Sequence, residues 1–152
     1  MKPDFDAAVK WYKLSIEVVD EASSHLALAR IYMQEPRRDP DWALTFYHLE
    51  LMDHNDVPAA SFGLGMLHEH GLGVPPSTES ARDYYTRSAD LGHVEAKLRL
   101  AKIAFDAAPI RNFLAFLRAN REVRRLQKAS PADPRLGLEY PAENYFEVPN
   151  PE

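Results

Sequence analysis

Three segments of the chain carry the same pattern of small and apolar residues, at a constant offset of 36 residues. Each segment has a small residue, followed four and five positions later by a leucine and a second small residue. The middle copy is Ala60, Leu64 and Gly65, and the flanking copies begin at Ser24 and Ala96. Residues at these spacings follow one stripe of an α-helix. The repetition therefore predicts a stack of similar helices, here called the A helices.

A second pattern falls between the A helices. Ala8, Ala43 and Ala81 each precede two adjacent aromatic residues by three and four positions. This spacing again marks one face of a helix, and it predicts a second set, the B helices. We expect the alanines to allow close approach between helices. The first aromatic of each pair is expected to fill the space between layers; these residues are Trp11, Phe46 and Tyr84.

Residues suited to helix ends stand at the borders of the predicted B helices. Asp4, Asp39 and Ser77 precede the three helices, where a side-chain oxygen can accept from the free N–H groups of a first turn. Asn55 and Gly92 follow two of them, and both residue types tolerate the left-handed conformation of a helix C-terminus.

These elements predict an all-α fold, a right-handed α/α superhelix of antiparallel helix pairs with a C-terminal capping helix and an irregular Pro-rich tail. The repeat domain is expected over residues 1–129 and the tail over 130–152. Within the domain we expect a B helix at about 4–19, repeat 1 at about 21–56, repeat 2 at about 57–92, a third A helix at about 93–106 and the capping helix at about 109–129. Pro109 suits the first turn of the capping helix. Its inward stripe is predicted to be Ile110, Phe113, Leu114 and Leu117.

The run from Ala60 to Val74 resembles the first half of a Sel1-like repeat, and the run from Ala81 to His93 resembles the second half. The Leu-Gly pair, the Gly-x-Gly-Val corner, the aromatic pair and the Ala-x-x-Gly ending all fall in register. The likeness is weaker over 4–59 and 97–105, and the first repeat lacks the glycine corner. These repeats are relatives of the tetratricopeptide repeats. The resemblance implies a protein that holds other proteins, as adaptors in signalling, protein quality control and bacterial secretion do.

Composition and motifs argue against several other classes. The chain has no cysteine, which excludes disulfides, thiolate metal sites and cysteine nucleophiles. A net charge of −5 gives no electrostatic reason to expect nucleic-acid binding. There is no Gly-rich phosphate loop and no nucleophile elbow. His68 and His70 would point to different sides of a helix, so they are poorly placed to share a metal. We expect no enzyme activity, no metal and no cofactor.

The sequence also bears on location. The first residues lack the apolar region of a secretory signal. No stretch approaches the roughly 18 apolar residues that a membrane helix needs. We expect a cytoplasmic protein without a membrane span, or a periplasmic one if the chain is a mature form.

Two surfaces are predicted to bind a partner. The first is the concave face lined by the A helices, where residues outside the core stripe set specificity. Its candidate residues are His25, Arg30, Ser61, Met66, Lys97 and Lys102. The second is a possible basic docking patch on the capping helix, formed by Arg118, Arg121, Arg124, Arg125 and Lys128. Both favour an acidic peptide or protein surface. The patch also has a plain structural interpretation, because positive charge is favourable near a helix C-terminus.

The tail combines acidic and aromatic residues. Its carboxylates are Asp133, Glu139, Glu143, Glu147 and Glu152 against Arg135 alone, and its aromatic residues are Tyr140, Tyr145 and Phe146. One hypothesis is that it packs back along the solenoid, with carboxylates toward the basic helix. The alternative is a linear motif for another protein.

The leading functional prediction is a non-catalytic protein–protein interaction module, an adaptor or scaffold. One alternative is a stoichiometric inhibitor or immunity protein that blocks a secreted bacterial toxin. Some small bacterial proteins with such repeats resemble immunity proteins of this kind. Another alternative is a structural segment of a longer solenoid. The partner and the oligomeric state stay open.

Overall fold

The computed structural model of the protein describes residues 5–19, 22–34 and 40–130. Within these residues the chain forms helices and no strand, so the predicted all-α fold is confirmed. Each helix packs against the next along the chain. The helices are α1 (Phe5–Val19), α2 (Ala22–Gln34), α3 (Trp42–Asp53), α4 (Pro58–His70), α5 (Thr78–Asp90), α6 (Val94–Ala107) and α7 (Pro109–Ala129). The expected capping residues Asp4 and Asp39, and the tail beyond Ser130, lie outside the described residues.

Side-chain caps fix where the central helices begin. Ser77 precedes α5 and its Oγ accepts from the backbone N–H of Ser80 at 3.1 Å, as the sequence predicts. The cap of α3 is Asp41, whose Oδ1 accepts from Leu44 N at 3.0 Å. The prediction of Asp39 as this cap is wrong, because α3 begins only at Trp42.

The turns between helices use the left-handed region of backbone space. Gly92 has a φ of 95° after α5, as expected of its position. After α3 it is Asp56, with a φ of 55°, that takes this conformation. The prediction for Asn55 is therefore wrong. Its side-chain amide instead donates to the carbonyl of Leu51 at 2.9 Å, which satisfies an acceptor that the helix end leaves open.

Two clusters of buried side chains lie on opposite sides of α4. The first joins α4 to α2 and α3 through Ala29, Leu49, Met52, Ala60, Leu64 and Leu67. The second joins it to α5 and α6 through Phe62, Met66, Ala81, Tyr85 and Ala96. Every residue of α4 from Ala60 to Leu67 is consequently buried. Burial of one large apolar side chain contributes roughly 1.5–3 kcal/mol, so this helix is the centre of the hydrophobic core.

A glycine allows α5 to approach α4 closely. A Cβ at Gly65 would lie 2.6 Å from Cε1 of Tyr85, too close for any side chain. Tyr85 is itself fully buried. Gly65, the small residue after the leucine in the middle A helix, therefore leaves the space that the Tyr85 ring occupies.

The predicted space-filling aromatics differ in their burial. Phe46 and Tyr84 are partly buried against the first core cluster. Trp11 is 71% exposed, so the prediction that it fills an interior space is wrong. No described helix covers the outer side of α1, where Trp11 lies.

The inward face of α7 is not the predicted one. Phe116 stacks on Phe105 of α6 with ring centroids 5.1 Å apart, and Val123 is buried. Two members of the expected inward stripe, Ile110 and Leu114, face outward instead, with 98% and 65% exposure, whereas the Phe113 ring lies 6.4 Å from the Phe105 ring. α7 carries two apolar rows. The row that contains Phe116 faces inward because Phe116 stacks on Phe105 of α6.

Candidate protein-binding surface

Three of the six residues predicted for the concave binding face are buried. His25 is 4%, Ser61 0% and Met66 4% exposed. The prediction that they contact a partner is wrong. Ser61 and Met66 are buried because other helices pack against α4 on both sides, and His25 is buried against His48 of α3.

His25 belongs to a contact between helices. Its Nδ1 lies 2.9 Å from Nδ1 of His48 on α3, so one ring donates and the other accepts. Tyr32 stacks on the His48 ring at 5.8 Å. Burial lowers the pKa of His48 to about 4, and the nearby His25 and Lys13 act in the same direction. Both rings are therefore part of the packing between α2 and α3.

Ser61 belongs to a polar network below the surface. Its hydroxyl donates to Oδ1 of Asp53, a carboxylate that is only 5% exposed. Arg87 of α5 donates to Oδ2 of the same carboxylate at 3.0 Å and to the Asp53 carbonyl at 2.8 Å. A second carboxylate, Asp56, accepts from Arg87 at 3.0 Å. Ser61, Asp53 and Arg87 form these hydrogen bonds with one another across three helices, so the role of this network is structural.

The remaining three predicted residues reach the surface to different degrees. Arg30 on α2 is partly buried, whereas Lys97 and Lys102 on α6 are exposed. Among the described residues, neither lysine forms an ion pair. The two lysines are thus positively charged groups that the fold itself does not engage.

The C-terminal turn of α4 adds polar groups beside α6. Tyr85 donates its hydroxyl to Oε2 of Glu69 at 2.5 Å, and Nη1 of Arg99 lies 3.5 Å from the same oxygen. Burial raises the pKa of Tyr85, and the hydrogen bond to Glu69 adds to this effect. Burial lowers the pKa of His70, while Glu69 opposes this and the cations Arg99 and Lys102 add to it. Lys102 therefore lies in the same neighbourhood as His70 and Arg99.

The basic residues of α7 are all exposed, as a docking patch requires. The helix carries Glu122 as its one acidic residue. For Arg118, Arg121, Arg124, Arg125 and Lys128, no ion pair is formed with any residue that the structure describes.

The sequence reasoning missed that the basic and apolar groups of α7 share one face. Positions 110, 114, 117, 121, 124 and 128 are spaced as one row of a helix. The row is apolar from Ile110 to Leu117 and cationic from Arg121 to Lys128. The spacing is present in the sequence, but an apolar row of helical period equally predicts packing in the core.

The described residues contain no group of three histidine or acidic side chains that could hold a metal ion. None of the helices they form is both long and apolar enough to cross a membrane. The surface features of this part of the chain are therefore charged and apolar patches on helices.

Successive helix pairs around a shared core define the class of protein, an α/α helical repeat. The sequence matches the Sel1 repeat over residues 1–17 and 58–93. The fold is similar to the crystal structure of a Sel1 repeat protein from Oxalobacter formigenes, with a TM-score of 0.65 and 19% identity. The chain therefore contains segments that match the Sel1 repeat, within a fold similar to that of a solved Sel1 repeat protein.

The chain is shorter than the proteins it resembles. The likeness to the Oxalobacter formigenes protein covers 83% of this chain and 55% of that one. An uncharacterized protein of Neisseria meningitidis serogroup B is 34% identical over 95 residues, which is 62% of this chain and 20% of the relative. The chain thus spans about a fifth of that relative's length.

Proposed function

We propose that the chain is a non-catalytic protein-binding module that recognises an acidic surface of its partner through α6. Sel1 repeats generally mediate protein–protein interaction. The observation that carries the proposal is the exposure of Lys97 and Lys102 without an ion-pair partner among the described residues. A protein whose net charge is −5 benefits from a local positive surface when it approaches an acidic partner.

Within the predicted concave face, the buried residues His25, Ser61 and Met66 do not compete with α6 as the binding surface. α4 is buried from Ala60 to Leu67, and Glu69 is engaged by Tyr85 and Arg99. The two lysines are exposed positions on a helix that contributes to the packed core. Exposed charges at an interface mainly raise the rate of association and set orientation.

The test is affinity purification from the source organism with the tagged full chain. The Lys97→Glu/Lys102→Glu double variant should lose the captured partner. A double variant at exposed cations on other helices, Lys10→Glu/Arg82→Glu, changes the net charge equally and should retain it. Retention of the same proteins by the α6 variant would overturn the proposal. One stoichiometric partner would favour an inhibitor over an adaptor with several.

A second candidate function is a structural segment of a longer solenoid, and the exposed apolar face of α1 favours it. Trp11, Val18 and Val19 are each at least 70% exposed there. In a helical array such a face packs against the helix of a neighbouring repeat. The intact mass of the endogenous protein tests this idea, because a mass of 17.3 kDa would contradict it.

A further inference from the structure

The outward face of α7 is an apolar and cationic surface that no described residue covers. Its first half exposes Ile110 and Leu114 at 98% and 65%, with Phe113 and Leu117 each more than two-fifths exposed. Its second half carries the basic patch from Arg121 to Lys128. A contiguous apolar row next to unpaired cations is typical of a surface that binds another segment.

The charge pattern of this face specifies a complementary ligand. Such a ligand needs aromatic or apolar side chains for the half around Leu114 and carboxylates for the arginines. Residues 131–152 have this composition, and they follow α7 directly. They hold five carboxylates, one arginine and the aromatic residues Tyr140, Tyr145 and Phe146.

The order of residues also fits a return path along α7. A chain that leaves Ser130 and runs back toward Pro109 passes the cationic half first and the apolar half second. Asp133 lies three residues after Ser130 and seven before Tyr140, so it reaches the cationic half before the aromatic residues reach the apolar half. Glu139, Glu143 and Glu147 alternate with the aromatic residues and fall beside the apolar half.

The distance is also suitable. With 21 residues α7 is about 31 Å long at about 1.5 Å per residue. A fully extended backbone spans at most roughly 3.3 Å per residue, so the ten residues that follow Ser130 are enough for a span of up to about 33 Å. Tyr140, Tyr145 and Phe146 therefore have enough chain to reach any point of the apolar half.

We propose that residues 133–147 bind the outward face of α7 in the same molecule, with Asp133 at the cationic half and the aromatic residues on Ile110, Leu114 and Leu117. The covalent connection favours this occupant over a second copy, because a short tether gives an effective concentration near the millimolar range. The proposal does not depend on the α6 surface.

The absence of cysteine allows a direct test in the full chain. A nitroxide attached to Asn144→Cys should broaden the amide signals of residues 110–117 in a ¹⁵N spectrum. The broadening should be lost in an Ile110→Glu/Leu114→Glu background. It should persist with Val18→Glu/Val19→Glu, a matched pair of exposed apolar positions on α1. The α7 positions are exposed, so these substitutions leave the core intact.

Three outcomes would overturn the proposal. One is the absence of broadening on α7, and another is broadening that survives the Ile110→Glu/Leu114→Glu change. The third is broadening in a mixture of ¹⁵N chain without nitroxide and nitroxide-labelled ¹⁴N chain, which would assign the face to a second copy. None of these results depends on whether Lys97 and Lys102 bind a partner, so the two proposals fail separately.

Discussion

Arg87 of α5 donates two hydrogen bonds to Asp53 of α3, one to the carboxylate at 3.0 Å and one to the backbone carbonyl at 2.8 Å. The other carboxylate oxygen accepts from Ser61 of α4. One buried acid therefore joins three successive helices. The same contacts explain why Ser61 is unavailable to a partner.

Substitution of Asp53 should destabilise the fold more than substitution of Asp56, although both accept from Arg87. Ser61 is fully buried. Asp53→Ala removes the carboxylate that accepts a hydrogen bond from its hydroxyl. An unsatisfied buried group of this kind costs about 1–3 kcal/mol. Asp56 is 72% exposed and has a φ of 55°. Asp56→Gly removes the carboxylate without strain at this φ, and water can then hydrogen-bond to Arg87 in its place. Urea denaturation of the two variants checks this, and equal midpoints would contradict it.

A methyl group at Gly65 should destabilise the packing of α4 on α5. Gly65→Ala places a Cβ 2.6 Å from the Tyr85 ring, so the ring or the helix must shift. Overpacking of this kind costs about 1–3 kcal/mol. The cost should shrink in a Tyr85→Leu background, because the obstructing ring is absent. A double-mutant cycle measures this coupling, and additive effects would show that Tyr85 is not the cause.

The repeat pattern predicted the fold well because the fold depends on contacts within one helix and between neighbouring helices. The spacing of Ala60, Leu64 and Gly65 follows the helix period, and Ser77 caps its helix through a contact three residues away. The burial of Met66 and Ser61 depends on helices that approach α4 from both sides. No pattern within one helix carries that information.

The orientation of α7 likewise does not follow from a pattern within one helix. The sequence contains one apolar row through Ile110 and Leu114 and another through Phe116 and Val123. Both have helical spacing, so periodicity alone does not choose between them. The stacking of Phe105 on Phe116 decides the matter, and it is a contact between two helices.

Acid should destabilise the protein through two buried histidines. Burial lowers the pKa of His48 and of His93 to about 4, from an ordinary value of 6.5. Between these values the unfolded chain takes up protons that the folded chain does not. The free energy of unfolding should therefore fall as the pH drops from about 6.5 to about 4, and histidine should contribute no slope well above 6.5. Urea denaturation across this pH range measures the effect.

The variant His93→Asn separates the contribution of His93. Its Nδ1 accepts from Ala96 N at 3.2 Å and caps α6, and asparagine can keep this cap without titrating near neutral pH. The slope between pH 6.5 and 4 should become shallower than in the parent chain. An unchanged slope would mean that His93 does not carry the effect.

Binding of an acidic partner through α6 should show in the salt dependence of association. The association rate constant of the captured partner should fall as salt rises, because salt screens the attraction to Lys97 and Lys102. Lys97→Glu/Lys102→Glu should slow association at low salt and reduce this dependence, whereas Lys10→Glu/Arg82→Glu should leave more of it. Equal association rates and equal salt dependence for the parent and the α6 variant would contradict partner binding through Lys97 and Lys102.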